Sequence, residues 1–260
     1  MRVHTPTMIT ADDPEYQFWG KSIHEYEANR NTPFVARSST SYTLYRGVNC
    51  ISLNMGMDIR SLLPPFSPLY RSQDAVFGYM LARSSAKMLA GFVPLIVEHK
   101  RNELRESHTD AVRTFTTVGK MTIHALNRII RREEDGNNEA AILSHLGQDL
   151  MTALEKEPEN MKRAVMEETI ARLAAYAEYS KMLLAEHTEG PEYWKQDMLA
   201  ATASVESAVR NIEAAPMFWD VGEWQRGEAF AWHAFLEWMK KYAAVLEEWP
   251  ELFERALKRN

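Results

Sequence analysis

Five charged side chains fall within one short tract, YRGVNCISLNMGMDIRSLLPPFSPLYRSQDAVFG: Arg46, Asp58, Arg60, Arg71 and Asp74. Glycines and prolines lie between them and fix the backbone there, the first by permitting unusual turns and the second by locking φ. A few charges at rigid spacing suit a binding cleft, and their sign admits a small anionic ligand. Asp74 falls in the first turn of an expected helix, where the positive dipole end and the free amides keep a carboxylate ionised. Such a group is a weak base held in one place. The plain reading stands beside it: Asp74 serves only as a helix-start residue after Ser72, and Arg60 and Arg71 pair with Asp58 and Asp74.

These residues need elements to position them. SYTLYRGVNCISL, 41–53, is rich in Thr, Tyr, Val and Ile and reads as a strand with a glycine interruption. NMGMDIR follows as a loop. Residues 73–90 have helical character, with Val76, Met80, Ser84 and Met88 on one face and Ser72 as N-cap. FVPLIV, 92–97, reads as the next strand, with Pro94 marking an edge or a bulge.

Beyond residue 100 the texture changes. Leu104, His108, Val112, Phe115, Val118, Thr122, Leu126 and Ile129 recur every three or four residues, the mark of one long amphipathic helix ending at DGNN, 135–138. Further apolar faces follow in Ile142, Leu146, Leu150 and Leu154, in Met166, Ile170, Leu173 and Ala177, and in Met198, Val205, Val209 and Ile212. EKEPEN and HTEGPE supply the breaks between them. A last helix carries Ala231, Phe235, Trp238, Tyr242, Val245 and Trp249, and six of the seven tryptophans lie after residue 190, which suits a core or a bundle interface.

The first tract resembles the acceptor-side half of glycosyltransferases with the GT-A fold. The resemblance rests on Arg-Gly in a strand, a loop ending in Asp-x-Arg, then Leu-Pro-Pro-Phe, then Arg-x-x-Asp opening a helix, and it covers about residues 41–100. It implies an α+β chain, with a partial α/β acceptor-binding module over 1–100 and a mainly helical region over 101–260. By the same resemblance Asp74 is the general base toward an acceptor hydroxyl. His99, directly after the strand FVPLIVE, is a metal-site residue for Mn²⁺ or Mg²⁺, and Asp58, Arg60, Arg71 and Arg46 bind substrate. A carboxylate takes the acceptor proton while cations stabilise the departing diphosphate of a nucleotide sugar. The Asp-x-Asp triplet of that family is absent from all 260 residues, so the resemblance places the nucleotide-binding half ahead of residue 1.

Composition narrows the classes. The chain is 45% hydrophobic and 25% charged, ordinary for a globular protein, and no apolar run reaches the eighteen or so residues that cross a bilayer. One cysteine, Cys50, cannot form an intrachain disulfide, which fits a reducing, cytoplasmic setting. The net charge of −6 is unevenly divided: residues 1–100 carry 10 basic against 8 acidic side chains and residues 101–260 carry 20 against 28, so nucleic acid is not an expected partner. Glycine-rich phosphate loops, nucleophile elbows and paired-cysteine motifs are missing from the sequence.

The expectation is therefore a glycosyltransferase-like chain acting on a nucleotide-sugar donor and a hydroxyl acceptor. A third reading is a divergent metal hydrolase using Asp74 and His99. The competing reading is a non-catalytic helical interaction protein with a structural N-terminal cap, whose C-terminal tail binds a partner.

Overall fold

The computed structural model describes residues 22–31, 42–45, 57–68, 73–84, 89–92, 111–129 and 138–258. In chain order these form α1 (Ile23–Asn31), β1 (Thr43–Tyr45), α2 (Gln73–Ser84), β2 (Ala90–Phe92), α3 (Ala111–Phe115), α4 (Val118–Ile129), α5 (Glu139–Lys156), α6 (Pro158–Glu186), α7 (Glu192–Arg210) and α8 (Glu228–Leu257). Two short 3-10 turns, Ile212–Ala214 and Gly222–Trp224, lie between α7 and α8.

The α+β expectation is corrected. Among the described residues the only β-structure is the pairing of β1 with β2, each three residues long. A GT-A core needs a multi-stranded sheet whose strand ends hold the nucleotide, and nothing described here supplies one; the fold is helical. High Thr, Tyr and Val content shows that a segment suits a pleated surface, but only neighbouring strands make it a sheet. Most of the two predicted strands, residues 46–53 and 93–97, lies outside the described residues.

The chain divides into two compact units. The first draws on residues 1–43, 91–115 and 170–216. There α3 packs on α7, and Val112, Leu173, Tyr176 and Val205 form a buried cluster in which the Phe115 ring stands edge-on to Tyr176 at 5.6 Å. A second cluster joins Tyr26 of α1 to Leu183, Trp194 and Met198. The Tyr26 hydroxyl donates to the Asp197 carboxylate at 2.6 Å, so the one polar atom of that ring finds a partner. Lys181 bridges Glu178 and Glu206, and these two carboxylates push its pKa up.

The second unit draws on residues 44–90, 116–169 and 217–260. Its centre is the packing of α5 along α8. Asn138 caps α5 by accepting the Ala141 N–H at 3.1 Å, and Leu143, Leu146, Leu150 and Leu154 bury one side of that helix. Gly147 sits where the two backbones meet. A Cβ there would lie 2.5 Å from the Glu247 nitrogen and 2.6 Å from the Ala243 carbonyl oxygen, so only glycine permits this approach. Ser144 ties the same crossing by donating to the Glu247 carbonyl at 2.9 Å.

The long helix expected over 104–129 is broken. Residues 101–110 lie outside the described residues, and α3 and α4 are separated by Thr116 and Thr117. The Thr117 hydroxyl accepts from the Lys120 N–H, and the Asp220 carboxylate accepts the Val118 N–H at 2.9 Å, which satisfies the start of a new helix. The Thr116 carbonyl accepts the Phe218 N–H at 2.8 Å. Phe218 is fully buried at φ +52°, a conformation costly for an aromatic residue, and it is held there by Trp224, Trp232 and Phe235 around its ring.

Candidate functional site

Of the charged residues singled out in the sequence, Asp58, Arg60 and Asp74 lie among the described residues. Asp58 accepts the Arg60 backbone N–H at 3.0 Å, closing a two-residue Asx turn, and the Arg60 guanidinium folds back onto the same carboxylate at 2.6 to 3.1 Å. The side-chain bonds from Arg60, reinforced by its backbone N–H, hold the Asp58 pKa down at about 2. Both groups are exposed and occupied with each other. Asp74 stands half-buried in the first turn of α2, where one oxygen accepts the Ala75 N–H at 2.9 Å. Arg46, Arg71 and His99 lie outside the described residues.

Among the described residues no group of three or more His, Cys, Asp or Glu side chains is arranged to hold a metal ion, which overturns the expectation of Mn²⁺ or Mg²⁺. With neither a sheet core nor a metal-ligating cluster, the glycosyltransferase reading falls, and the nucleotide-sugar donor and hydroxyl acceptor fall with it. His124, within α4, is buried and its Nδ1 lies 3.1 Å from the Thr169 hydroxyl oxygen. That hydroxyl donates to the Val165 carbonyl at 2.7 Å, so Nδ1 is the donor to Thr169 and the ring is a core group. His145 is exposed on α5, and His108 lies outside the described residues. No described helix is long and apolar enough to cross a membrane.

What the tract does build is apolar. Residues 62–68, LLPPFSP, run without regular structure, and each residue ahead of a proline is pushed toward extended backbone. Three prolines in seven residues also remove three N–H groups, so this strap needs few backbone partners. Leu63, Pro64 and Pro65 are buried, and Phe66 stacks on Phe77 of α2 with ring centroids 4.1 Å apart and planes 7° from parallel. Trp249 of α8 donates its indole N–H to the Leu63 carbonyl and so pins the strap to the helix.

Between strap and helix remains a cavity of about 380 Å³. Pro65 and Phe66 form one wall, Phe77 contributes from α2, and Val245, Trp249 and Phe253 line the α8 side at successive helical turns. All ten lining side chains are apolar, and the single N–H among them, that of Trp249, is already donated. The sequence marks the proline strap but not its counterpart, because Leu63 and Trp249 are 186 residues apart.

No protein-family model matches the chain, and searches of curated proteins and of solved structures find no similar protein.

Proposed function

We propose that this chain is a non-catalytic helical interaction protein whose binding element is the apolar groove between the proline strap and α8. The lining of the groove carries this reading: its ten side chains are apolar, and the one side-chain N–H among them, that of Trp249, is donated to Leu63. Such a surface binds by taking apolar area out of water, at about 25 cal/mol per Å². No side chain of the lining can take up a proton or carry a charge. Two of the lining side chains, Met57 and Phe66, are also exposed apolar residues. Clustered exposure of this kind marks a contact surface, whereas single exposed residues do not. The lone Cys50 supports a reducing, cytoplasmic place of work.

An environment-sensitive naphthalene sulfonate dye tests the reading. The dye is expected to bind the folded chain, and Phe253→Glu is expected to weaken it about tenfold by placing a charge in an apolar wall. Phe253 is only half-buried, so the circular dichroism of the variant stays that of the parent. Equal dye binding by both proteins contradicts the assignment of the groove.

A further inference from the structure

Met57 is the one thioether in a lining otherwise made of aliphatic, aromatic and proline side chains. It is also 43% exposed, so a dissolved oxidant reaches its sulfur without any opening of the fold. Exposure decides which methionines oxidise, and it sets this one apart from the fully buried Met80, Met121 and Met239. Met182 of α6 is equally open, at 45%, but takes no part in the lining. The chain therefore carries its own control.

We propose that Met57 is an oxidation switch of the groove: a peroxide converts its thioether to the sulfoxide, and the sulfoxide lowers the affinity of the groove for apolar ligands. This rests on the groove reading and adds its regulation. A lone pair on Sδ attacks one peroxide oxygen, and the S–O bond forms as the O–O bond breaks. Sulfur gives up two electrons. The second oxygen leaves with the bonding pair, takes the proton of the transferred oxygen and departs as water. The product is a polar group that accepts hydrogen bonds where the wall was apolar. No lining side chain is free to donate to it, because the Trp249 N–H is already given to the Leu63 carbonyl. Water must serve instead. An apolar ligand that covers Met57 strips that water from the sulfoxide, and the lost hydrogen bonds count against binding. Reductases specific for each sulfoxide epimer restore the thioether, so the change can be undone.

Hydrogen peroxide treatment of the full chain, followed by titration with the naphthalene sulfonate dye, tests this. Peptide mass spectrometry reports the oxygen gained at each methionine, and each protein is compared with itself before and after peroxide. In the parent, dye affinity is expected to fall about fivefold in step with Met57 sulfoxide, with the helical spectrum unchanged, and to return after treatment with both reductases. Met57→Leu is expected to show no change on peroxide, whatever its starting affinity. Met182→Leu should respond as the parent does. A Met57 that resists peroxide, an affinity indifferent to its oxidation, or a fall of the same size in Met57→Leu overturns the proposal. The reduced chain separates the two levels: Phe253-dependent dye binding that ignores Met57 oxidation rejects the switch and keeps the groove. Dye binding that ignores Phe253 rejects both.

Discussion

Two faces of α8 meet their neighbours in different ways. On one face Ala243 and Glu247 meet Gly147 of α5 so closely that no side chain fits between the backbones. On the other, Val245, Trp249 and Phe253 meet the proline strap and leave a cavity of about 380 Å³. Both faces are apolar and both follow helical spacing. The difference lies in the opposing element: a regular helix can slide into contact along its length, whereas a strap stiffened by three prolines touches at a few points, chiefly Leu63 at Trp249 and Phe66 at Phe77. Closure gives stability and incomplete closure leaves a place to bind.

The comparison is broken most severely at Phe235. It is fully buried between Phe218, Trp224 and Trp232, and Phe235→Ala is expected to cost about 3–5 kcal/mol in urea unfolding. Phe253→Ala, on the open face, is expected to cost about 1 kcal/mol or less, and equal losses at the two positions would erase the distinction between the faces.

A smaller but more diagnostic effect is expected at Gly147. In an ordinary helix interior Gly→Ala stabilises by about 1 kcal/mol, but here the added Cβ meets fixed backbone of α8. Gly147→Ala is expected to reverse the sign and destabilise by about 1–3 kcal/mol, read as a lower denaturation midpoint. A stabilised variant would show that α5 and α8 do not approach as described.

The smallest effect concerns Tyr242. Its ring is fully buried and stacked on Trp238, its hydroxyl has no hydrogen-bond partner among the described residues, and burial pushes its pKa up. Below the ordinary tyrosine pKa of about 10 both folded and unfolded chains hold the proton, and stability does not depend on this group. Above it the unfolded chain releases the proton and the folded chain keeps it, so stability falls as pH rises. Tyr242→Phe is expected to lie within about 1 kcal/mol of the parent at pH 7 and to lose less stability between pH 9 and pH 11. An identical alkaline fall in both proteins would contradict the burial of that hydroxyl.

Much of the helical part was legible from spacing. Leu146, Leu150 and Leu154 mark the buried side of α5, and EKEPEN and HTEGPE mark the ends, with Glu157 capping α5 and Pro158 opening α6. Polar residues turned inward were harder to read. On α6 Leu173 and Ala177 are buried as the spacing predicts, but ahead of them the buried positions are Val165 and Thr169 while Met166 and Ile170 are half-buried, because Thr169 satisfies its hydroxyl on Val165 and can face the core. The break at Thr116 was hidden by apolar spacing that continues across it, and the groups that hold it, Phe218 and Asp220, come about a hundred residues later. The same distance in sequence explains the site. LLPPFSP stood out as unusual, and its charged flanks drew it toward catalysis. Asp58 and Arg60 instead close on each other, and the apolar pocket beside the tract forms only where Trp249 meets Leu63.

The claim that the strap and α8 enclose a binding groove is tested most directly at the Trp249 indole N–H, followed by nitrogen–proton correlation NMR and assigned with Trp249→Phe. Because that N–H is donated to Leu63 beside the lining, adding the naphthalene sulfonate dye should shift its signal saturably and leave those of the fully buried Trp194 and of Trp232, in the aromatic cluster, in place. Saturable dye binding that leaves the Trp249 signal unmoved would contradict the account.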